Sequence, residues 1–306
     1  MQVLHIITGL KKGGAETLLC NLCKYDTDNM HTIISLSDIN DDELLKDQPN
    51  ISTYSLNFPN GRIKLSGLQK LYKLIKKIKP DVVQTWMIHA DLIGGITARI
   101  AGIKNIYHYP LLTKKNLHLV DAAKNFIEKS LKIQNCPTET KIFIEQDKTK
   151  KYKLNNSKKI ILGIGSSGPT TRWGYDNFAS LIKKLNQNGK YYFYLLCGSN
   201  EENGAQKIIN QIKEKNCESL SMKDVSEIMY YIYLSDMFVG NDSFGHHIAC
   251  QMNKPSFVIL LDSPKAYSDY SKNQFRIIPP DIDINRITHG SNLDPKSISV
   301  EMIFNK

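Results

Sequence analysis

The sequence lacks any long hydrophobic run and has few cysteines. Within its 306 residues, no apolar stretch approaches the roughly 18–20 residues that span a bilayer, and the first residues show no signal-peptide pattern. The six cysteines follow no regular spacing, which argues against a disulfide framework. With an apolar fraction of 41%, these absences favour a globular protein of the reducing cytoplasm.

Signatures of a metal or of a nucleotide cofactor are missing as well. Cys20 and Cys23 form an isolated Cys-x-x-Cys pair, and because no second pair stands at ligand spacing, we interpret both as helix packing residues. The glycine-rich loop after the first strand does not read Gly-x-Gly-x-x-Gly, and no acidic residue closes the next strand, which disfavours a nicotinamide cofactor. We expect neither a cofactor nor a resident metal.

Acidic residues are outnumbered, 30 against 40 basic ones, which gives a net charge of +10. Such a balance fits a nucleic acid or an anionic membrane as partner. The chain is, however, rich in Lys, Asn and Ile together, a mixture that biased codon composition produces, and it has no basic motif interleaved with aromatic residues. Nucleic acid is therefore not expected as a partner.

The segment from Lys64 to Ile78 keeps an anionic membrane open as a partner. It has apolar residues at helical spacing, five lysines and no acid. Each lysine near an anionic leaflet contributes about 1 kcal/mol, so the segment predicts a helix in weak, reversible contact with the inner face of a membrane. The alternative is that the apolar stripe packs on a sheet while the lysines face water.

Strands and amphipathic helices alternate along the chain, the pattern of a parallel sheet with helices on both faces. The length is too great for one ordinary core and suggests two domains of about 150 residues each. We predict an α/β protein with two Rossmann-like, doubly wound domains facing across a cleft. The predicted domains are residues 1–150 and 151–290, with a polar linker at 146–158 and a tail, 291–306, that could cross back to the first domain.

The most informative stretch, Val239 to Pro255, predicts a strand that turns sharply into a short capped helix. Such a turn presents free backbone N–H groups and the positive end of the helix dipole, which suit a phosphate. Of the two adjacent histidines, only one can face the same ligand as the helix start, and His247, one turn in, is the candidate. The predicted donor-binding residues here are Asp242, Ser243, Phe244, Gly245 and His247.

This stretch resembles the signature of family 9 (heptosyltransferase-like) glycosyltransferases. In that family an Asn-Asp-Ser/Thr-Gly loop is followed by a His five residues after the Asp and then by an Ala, as Asp242, His247 and Ala249 stand here. Phe244 takes the place of the usual Gly. The alternative is an ordinary strand–loop–helix connection with a buried histidine.

The resemblance to family 9 extends to two preceding loops. Family members place a Lys two residues before Trp173 to hold donor phosphate, whereas this chain has Thr171 there, with Arg172 beside it. An acid after the next strand binds the ribose hydroxyls in that family, which implies Glu202, with Glu201 as the other candidate. A solvated loop Arg and a solvated Glu at a helix start are the alternatives. The donor-binding residues predicted for these loops are Ser166, Thr171, Arg172 and Glu202.

Residues 1 to about 110 resemble another family, the family 4 glycosyltransferases. Gly13 and Gly14 belong to a Gly-Gly-Ala-Glu loop that enters a helix, and in that family the loop approaches the donor diphosphate and sugar from the opposite domain. Paired glycines let the backbone come close to a ligand. Family 4 members often carry a His at the position of His89, near the bound sugar. The chain is therefore a composite of two resemblances.

Both resemblances imply a GT-B type glycosyltransferase that moves a sugar from a nucleotide-diphosphate donor to a cell-envelope glycan or lipid-linked acceptor. Helix N-termini, His247 and Arg172 would stabilise the departing diphosphate, so a metal is not required. Family 9 enzymes invert and use an Asp in the first loop, which this chain lacks. Glu16, His89 or Asp91 could replace it as general base. The predicted catalytic residues are Glu16, His89 and His247.

The stereochemistry and two other functions stay open. The Glu-x7-Glu motif of the retaining family 4 enzymes is not found in the corresponding loop, which favours inversion. The departures at Thr171 and Phe244 and the uncertain base fit a degenerate transferase that binds nucleotide as a scaffold. A sugar-nucleotide epimerase shares the architecture. Nucleotide-sugar turnover separates these three functions.

Overall fold

The computed structural model describes residues 1–10, 14–38, 45, 48–59, 65–109, 119–138, 141–150, 152, 157–166, 168–189, 191–213, 215–265, 268, 271–288 and 290–306. The chain divides into two compact units, Met1–Thr138 and Glu139–Lys306, whereas the sequence suggested a boundary at residue 150. Segment 141–144, which that boundary assigned to the first domain, contributes Ile142 and Ile144 to a hydrophobic cluster of the second unit. This segment is therefore part of the second unit.

The first unit is a parallel α/β unit. In chain order its described elements are β1 (Gln2–Ile7), α1 (Gly14–Tyr25), β2 (Met30–Ser35), β3 (Ile51–Ser55), α2 (Leu65–Ile78), β4 (Val82–Trp86), α3 (Ile88–Ile100), β5 (Ile106–Tyr109) and α4 (Leu119–Ser130). The sheet has the order β3-β2-β1-β4-β5, with every neighbouring pair parallel. The chain reverses direction across the sheet between β1 and β4, which creates a switch point at the carboxyl ends of these strands.

Both faces of the first sheet are covered, which explains why its central strands read as apolar runs. On one face Leu4 and Ile6 pack with Leu71 of α2. On the other face Ile7 packs with Leu19 of α1, and Cys20 and Cys23 lie in the same cluster. The helix predicted from Lys64 corresponds to α2, although Lys64 itself lies outside the described residues. Within the described ranges, no helix combines the length and apolarity of a membrane span.

The second unit is also a parallel, doubly wound unit. Its described elements are α5 (Gln146–Thr149), β6 (Lys158–Gly163), α6 (Tyr175–Asn188), β7 (Tyr191–Leu196), α7 (Glu202–Ile212), β8 (Cys217–Ser219), α8 (Val225–Leu234), β9 (Met237–Asn241), α9 (Phe244–Gln251), β10 (Ser256–Ile259), β11 (Gln274–Ile277) and α10 (Val300–Phe304). The strand order is β11-β10-β9-β6-β7-β8, all parallel. The switch point lies between β6 and β9.

The tail after residue 290 packs on the second unit. The Asp294 side chain caps a short 3-10 turn by accepting the N–H of Lys296, as its position before Pro295 predicted. The following helix, α10, packs against α6, and Ile298 and Ile303 belong to the core beneath. The tail that was expected to cross back to the first domain is thus integral to the second unit, because its apolar residues complete that core.

Candidate functional site

The predicted donor-binding residues of the second unit lie at the carboxyl ends of β6, β7 and β9, which form one edge of the sheet. In a doubly wound sheet, ligands bind at this edge beside the switch point. Strand β9 continues through Gly240 and Asn241, which the sequence analysis placed in the turn. Helix α9 begins at Phe244, with Ser243 at the cap position. We call this edge the donor edge.

Asn241 joins the loops of the donor edge. Its fully buried side chain accepts the N–H of Trp173 at 2.9 Å and donates from Nδ2 to the carbonyl of Ile164 at 2.8 Å. The indole N–H of Trp173 in turn donates to the carbonyl of Ile298 at 2.8 Å. Asn241 therefore holds both ends of the intervening loop against β9, a role that the sequence pattern did not reveal.

Hydroxyl groups organise the loop between β6 and α6. Oγ1 of Thr171 lies 2.7 Å from Oγ of Ser166 and 3.0 Å from the carbonyl of Gly168, while Ser166 donates to the same carbonyl at 2.8 Å. Thr170 donates to the carboxylate of Asp262 at 2.7 Å. Thr171, at the position where family 9 has Lys, thus stabilises the loop internally.

Arg172, predicted to hold donor phosphate, is paired with Glu201. Nη2 of Arg172 lies 2.7 Å from Oε1 of Glu201, whose side chain is buried, while a third of the Arg172 side chain is exposed. Glu201 also accepts the N–H groups of Gly198 at 3.2 Å and Ser166 at 3.4 Å. Glu201, the less favoured of the two acids in the sequence, therefore positions Arg172, whose remaining N–H groups can bind an anion.

Glu202 stands at the start of α7 and reaches the end of β8. Its carboxylate accepts hydrogen bonds from the hydroxyl of Ser219 at 2.6 Å, from the hydroxyl of Ser221, and from Nε2 of Gln206 at 2.7 Å. These three donors, Ser219 foremost, lower the pKa of Glu202. The result is an oriented, ionised acceptor for hydroxyl groups. The sequence analysis missed Ser219 and Ser221, because isolated serines form no pattern.

Asp242 lies beside the rings of both histidines of α9. Its Oδ1 is 3.2 Å from Nδ1 of His246 and 3.7 Å from Nε2 of His247. His246 is fully buried, whereas 36% of the His247 side chain is exposed. Burial lowers the pKa of both rings, so each is neutral near pH 7. His247 is the ring of the pair that a ligand at the helix start can contact.

The same three residues hold potential metal ligands within 4.8 Å of one another. However, Nδ1 of His246 accepts the backbone N–H of Ser243 at 3.4 Å, which occupies the lone pair of the ring nitrogen nearest Asp242. The cluster therefore fits a hydrogen-bonded arrangement at the start of α9 better than a metal site.

The first two residues of α9 differ in how closely other side chains surround them. Phe244 is 41% exposed, so its ring is available to a ligand at the helix start. A Cβ at Gly245 would lie 2.4 Å from Leu196 and 2.7 Å from Phe238. Gly245 thus allows the close packing of α9 on the sheet, and its contact with the donor stays a prediction.

The predicted residues of the first unit lie at two helix starts that flank its switch point. Gly14 is the exposed first residue of α1, and a Cβ there would meet no atom within 4 Å. Glu16 is half-buried two residues further along α1, and His89 is exposed at the second position of α3. Gly13 lies outside the described residues.

A polar cluster at the carboxyl ends of β4 and β5 was not anticipated as a unit. Oγ1 of Thr85 lies 2.6 Å from Oδ1 of Asp91 and 2.8 Å from Nδ1 of His108. Met87, between β4 and α3, has a φ of 73°, a conformation that is uncommon for a non-glycine residue. Asp91 is one of the candidate bases, but no pattern in the sequence indicates its partners.

A second unanticipated cluster crosses the core of the first unit. Trp86 donates to Nδ1 of His5 at 3.4 Å, Nε2 of His5 lies 3.0 Å from Nδ1 of His31, and Nε2 of His31 lies 3.2 Å from the Asp26 carboxylate. Cys23 lies close enough to both histidines to complete a ligand set. If Nε2 of the neutral His5 ring bound a metal, its Nδ1 would carry the ring proton. Two N–H donors, Nδ1 of His5 and the indole of Trp86, would then face each other, so these residues do not fit a metal site. Burial lowers the pKa of His5 to about 3.

Comparison with known proteins assigns the family. The chain matches the model of glycosyltransferase family 9 (heptosyltransferase) over residues 85–277, more than half of its length, and it belongs to that family. The match begins inside the region that resembles family 4. Lipopolysaccharide heptosyltransferase 1 of Campylobacter coli is 25% identical over 152 residues, or 48% of this chain and 44% of that protein. The matched region thus spans less than half the length of that relative.

Solved structures support the architecture. A family 9 glycosyltransferase from Veillonella parvula DSM 2008 is similar, with a TM-score of 0.63, 15% identity, and coverage of 99% of this chain and 95% of that chain. E. coli ADP-heptose lipopolysaccharide heptosyltransferase II has a TM-score of 0.57 and 15% identity, with 100% and 98% covered. At this identity the likeness defines the fold alone. It confirms the predicted GT-B class with two parallel-sheet domains.

Proposed function

We propose that the protein transfers a sugar from a nucleotide-diphosphate donor to a cell-envelope glycan or lipid-linked acceptor. The main support is the donor edge, where Asn241 fixes the loop carrying Arg172 beside the start of α9. An anion there meets backbone N–H groups, the helix dipole and a guanidinium. The diphosphate binds between the turn from Asp242 to His247 and the loop from Gly165 to Trp173, and Glu202 accepts hydroxyl groups of the ribose.

The resemblance to family 4 implies contact between Gly14, the first residue of α1, and the donor sugar. Gly14 supports this placement, because its exposed position at a helix start leaves room for a ligand. In this proposal the diphosphate is stabilised without a metal, by His247, Arg172 and helix N-termini. The transfer inverts the anomeric configuration. Membership of family 9 and the heptosyltransferase relative favour ADP-heptose as the first donor to test and a lipopolysaccharide core as acceptor.

A donor panel tests this function. Thermal shifts are measured with ADP, UDP and GDP and with their sugars, since a ligand at 100 times its Kd stabilises the protein by about 2.7 kcal/mol. The donor that binds is then incubated with heptose-free lipopolysaccharide. Free nucleotide with a glycosylated product supports the transferase. An altered nucleotide sugar would instead indicate an epimerase, and binding without turnover would indicate a scaffold.

The proposed peripheral contact with an anionic membrane draws support from α2 and α3. Helix α3 has an exposed apolar side chain at every fourth residue, and the exposed fractions lie between 53% and 70%. A groove of 880 Å³ lies between α3 and α2. Helix α2 contains no acid, and Asp91, the one acid of α3, is buried. Charge alone binds a bilayer weakly, and the stripe supplies the apolar face that insertion needs. The stripe consists of Ile88, Leu92, Ile96 and Ile100.

Liposome co-sedimentation tests the membrane contact. We expect partition onto anionic but not neutral vesicles, declining as salt rises. Replacing Lys70, Lys73, Lys76 and Lys77 by Gln should weaken binding by up to about 1 kcal/mol per lysine. A matched variant changes Lys213, Lys215, Lys296 and Lys306 of the second unit to Gln, with the same loss of charge. Equal partition onto both vesicle types, or equal effects of the two variants, would rule the contact out.

A further inference from the structure

Three polar side chains meet at the carboxyl ends of β4 and β5, beside the switch point of the first sheet. Asp91 is 3% exposed, whereas the His108 side chain keeps 25% of its surface exposed. The Thr85 hydroxyl lies between them, 2.6 Å from Asp91 Oδ1 and 2.8 Å from His108 Nδ1. A buried carboxylate behind a partly exposed imidazole is the arrangement that orients a general base.

The direction of these hydrogen bonds determines the tautomer of His108. Thr85 has one hydroxyl proton, and the Asp91 carboxylate accepts it. The Thr85 oxygen then accepts from His108, so Nδ1 carries the ring proton and Nε2 keeps its lone pair. In the part of the chain that the structure describes, Asp91 is the one charged side chain that lies beside this ring, and Nε2 makes no hydrogen bond.

Two backbone features keep Thr85, Asp91 and the His108 ring in these positions. The positive φ of Met87 shapes the turn that brings Asp91, one turn into α3, beneath Thr85. Further along α3, a Cβ at Gly95 would lie 2.6 Å from Cε1 of His108. The ring therefore rests directly on the helix, and any side chain at position 95 would displace it.

We propose that His108 is the general base of the transfer reaction and that Thr85 and Asp91 are its positioning residues; this assignment rests on the proposed transferase function. Nε2 of His108 takes the proton of the acceptor hydroxyl while that oxygen bonds to the anomeric carbon of the donor. The bond from the anomeric carbon to the diphosphate oxygen breaks, and its electron pair leaves with the nucleoside diphosphate. This role replaces those predicted for Glu16 and His89.

Asp91 can stabilise the positive charge that His108 acquires in the proton transfer, because its carboxylate lies next to the ring. Burial raises the pKa of Asp91, and the imidazolium that forms when His108 takes a proton favours the ionised carboxylate. The separation of 3.5 Å between His108 Nδ1 and Asp91 Oδ1 allows direct stabilisation of that charge. The cluster lies at the carboxyl ends of the neighbouring parallel strands β4 and β5, the edge at which doubly wound sheets bind their ligands.

The test measures release of ADP from ADP-heptose with heptose-free lipopolysaccharide as acceptor, in wild type and in variants whose folding and ADP binding are checked. We expect His108→Gln to lower kcat by about 10²- to 10⁴-fold with the donor KM within about threefold, and to remove the acid limb of the pH profile. Added imidazole should restore part of the rate in His108→Ala. Asp91→Asn and Gly95→Ala should lower kcat while the donor KM stays unchanged.

Each alternative outcome is distinct. An active wild type with undiminished kcat in His108→Gln overturns the assignment while leaving the transferase function intact. Loss of kcat in His89→Gln but not in His108→Gln transfers the role to His89. A folded His108→Gln variant that loses rate but keeps the acid limb, without rescue by imidazole, shows a structural role only. A wild type that binds ADP but turns over no sugar donor overturns the transferase function and, with it, the base.

Discussion

The replacement Asn241→Ala tests whether the donor edge depends on one buried amide. Its two hydrogen bonds, of 2.9 and 2.8 Å, go to backbone groups of Trp173 and Ile164, which are each 1% exposed. Alanine leaves one N–H and one C=O buried and unpaired, at about 1–3 kcal/mol each. The unfolding free energy of the second unit should therefore fall by about 2–6 kcal/mol.

The same replacement should weaken nucleotide binding. The loop that carries Arg172 loses both of its attachments to β9, and binding must then supply the free energy of ordering it. We expect the affinity of the folded protein for its nucleoside diphosphate to fall at least about tenfold, or about 1.4 kcal/mol. Urea unfolding gives the stability, and calorimetry below the transition gives the affinity.

A matched control separates the two effects. Asn216 also makes two side-chain hydrogen bonds, to Oδ1 of Asn186 and to the carbonyl of Tyr191, each at 3.0 Å. It lies at the amino ends of the strands, opposite the donor edge. Asn216→Ala should therefore destabilise the unit without changing affinity. Destabilisation by Asn241→Ala of less than about 1 kcal/mol, or equal losses of affinity in the two variants, would refute the reasoning.

Three further outcomes are expected. Arg172→Ala should weaken nucleoside diphosphate binding by about 1.5–3 kcal/mol through loss of a charge-assisted contact; unchanged affinity by calorimetry would remove Arg172 from the site. Gly14→Val should abolish transfer yet alter unfolding by less than about 1 kcal/mol, because the position is open and helical; an active variant would make Gly14 only a helix entry. As the pH is lowered from 6.5, the free energy of unfolding should decrease by up to about 1.4 kcal/mol per pH unit for each buried neutral histidine, because the unfolded chain binds protons that native His5 and His246 do not. Urea unfolding at pH 7.5 and 5.5 measures this decrease, and equal free energies at the two pH values would contradict it.

The fold was accessible from the sequence because it depends on local patterns. Apolar runs covered on both faces and amphipathic helices alternate through both units, and most strand and helix positions were predicted to within a few residues. Two errors arose where tertiary packing decides. The segment with Ile142 and Ile144 carries no sign of which core it joins, and the tail beyond Asp294 gives no indication that it completes the core under α6.

The site was only partly accessible, since pattern identifies positions but not partners. The turn after β9 and the loop before Trp173 could be found from spacing and family resemblance. The pairing of Arg172 with Glu201 could not, because their separation in sequence has no periodicity. The same holds for His108, whose partners lie on another strand and on α3. The positive φ of Met87, just before α3, was not accessible either, because no turn signal in the sequence marks this residue.

The hydrogen bond from Trp173 to Ile298 has a consequence for protein synthesis. The two residues are 125 positions apart, so this hydrogen bond cannot form until Ile298 has been added to the chain, about 6–25 seconds after Trp173 at 5–20 residues per second. In the part of the chain that the structure describes, the strands of the first sheet end by Tyr109, so this sheet can form while the second unit is still being translated. During that interval the apolar surface that the tail covers, around Trp173 and Phe178, stays exposed to chaperones and to neighbouring nascent chains.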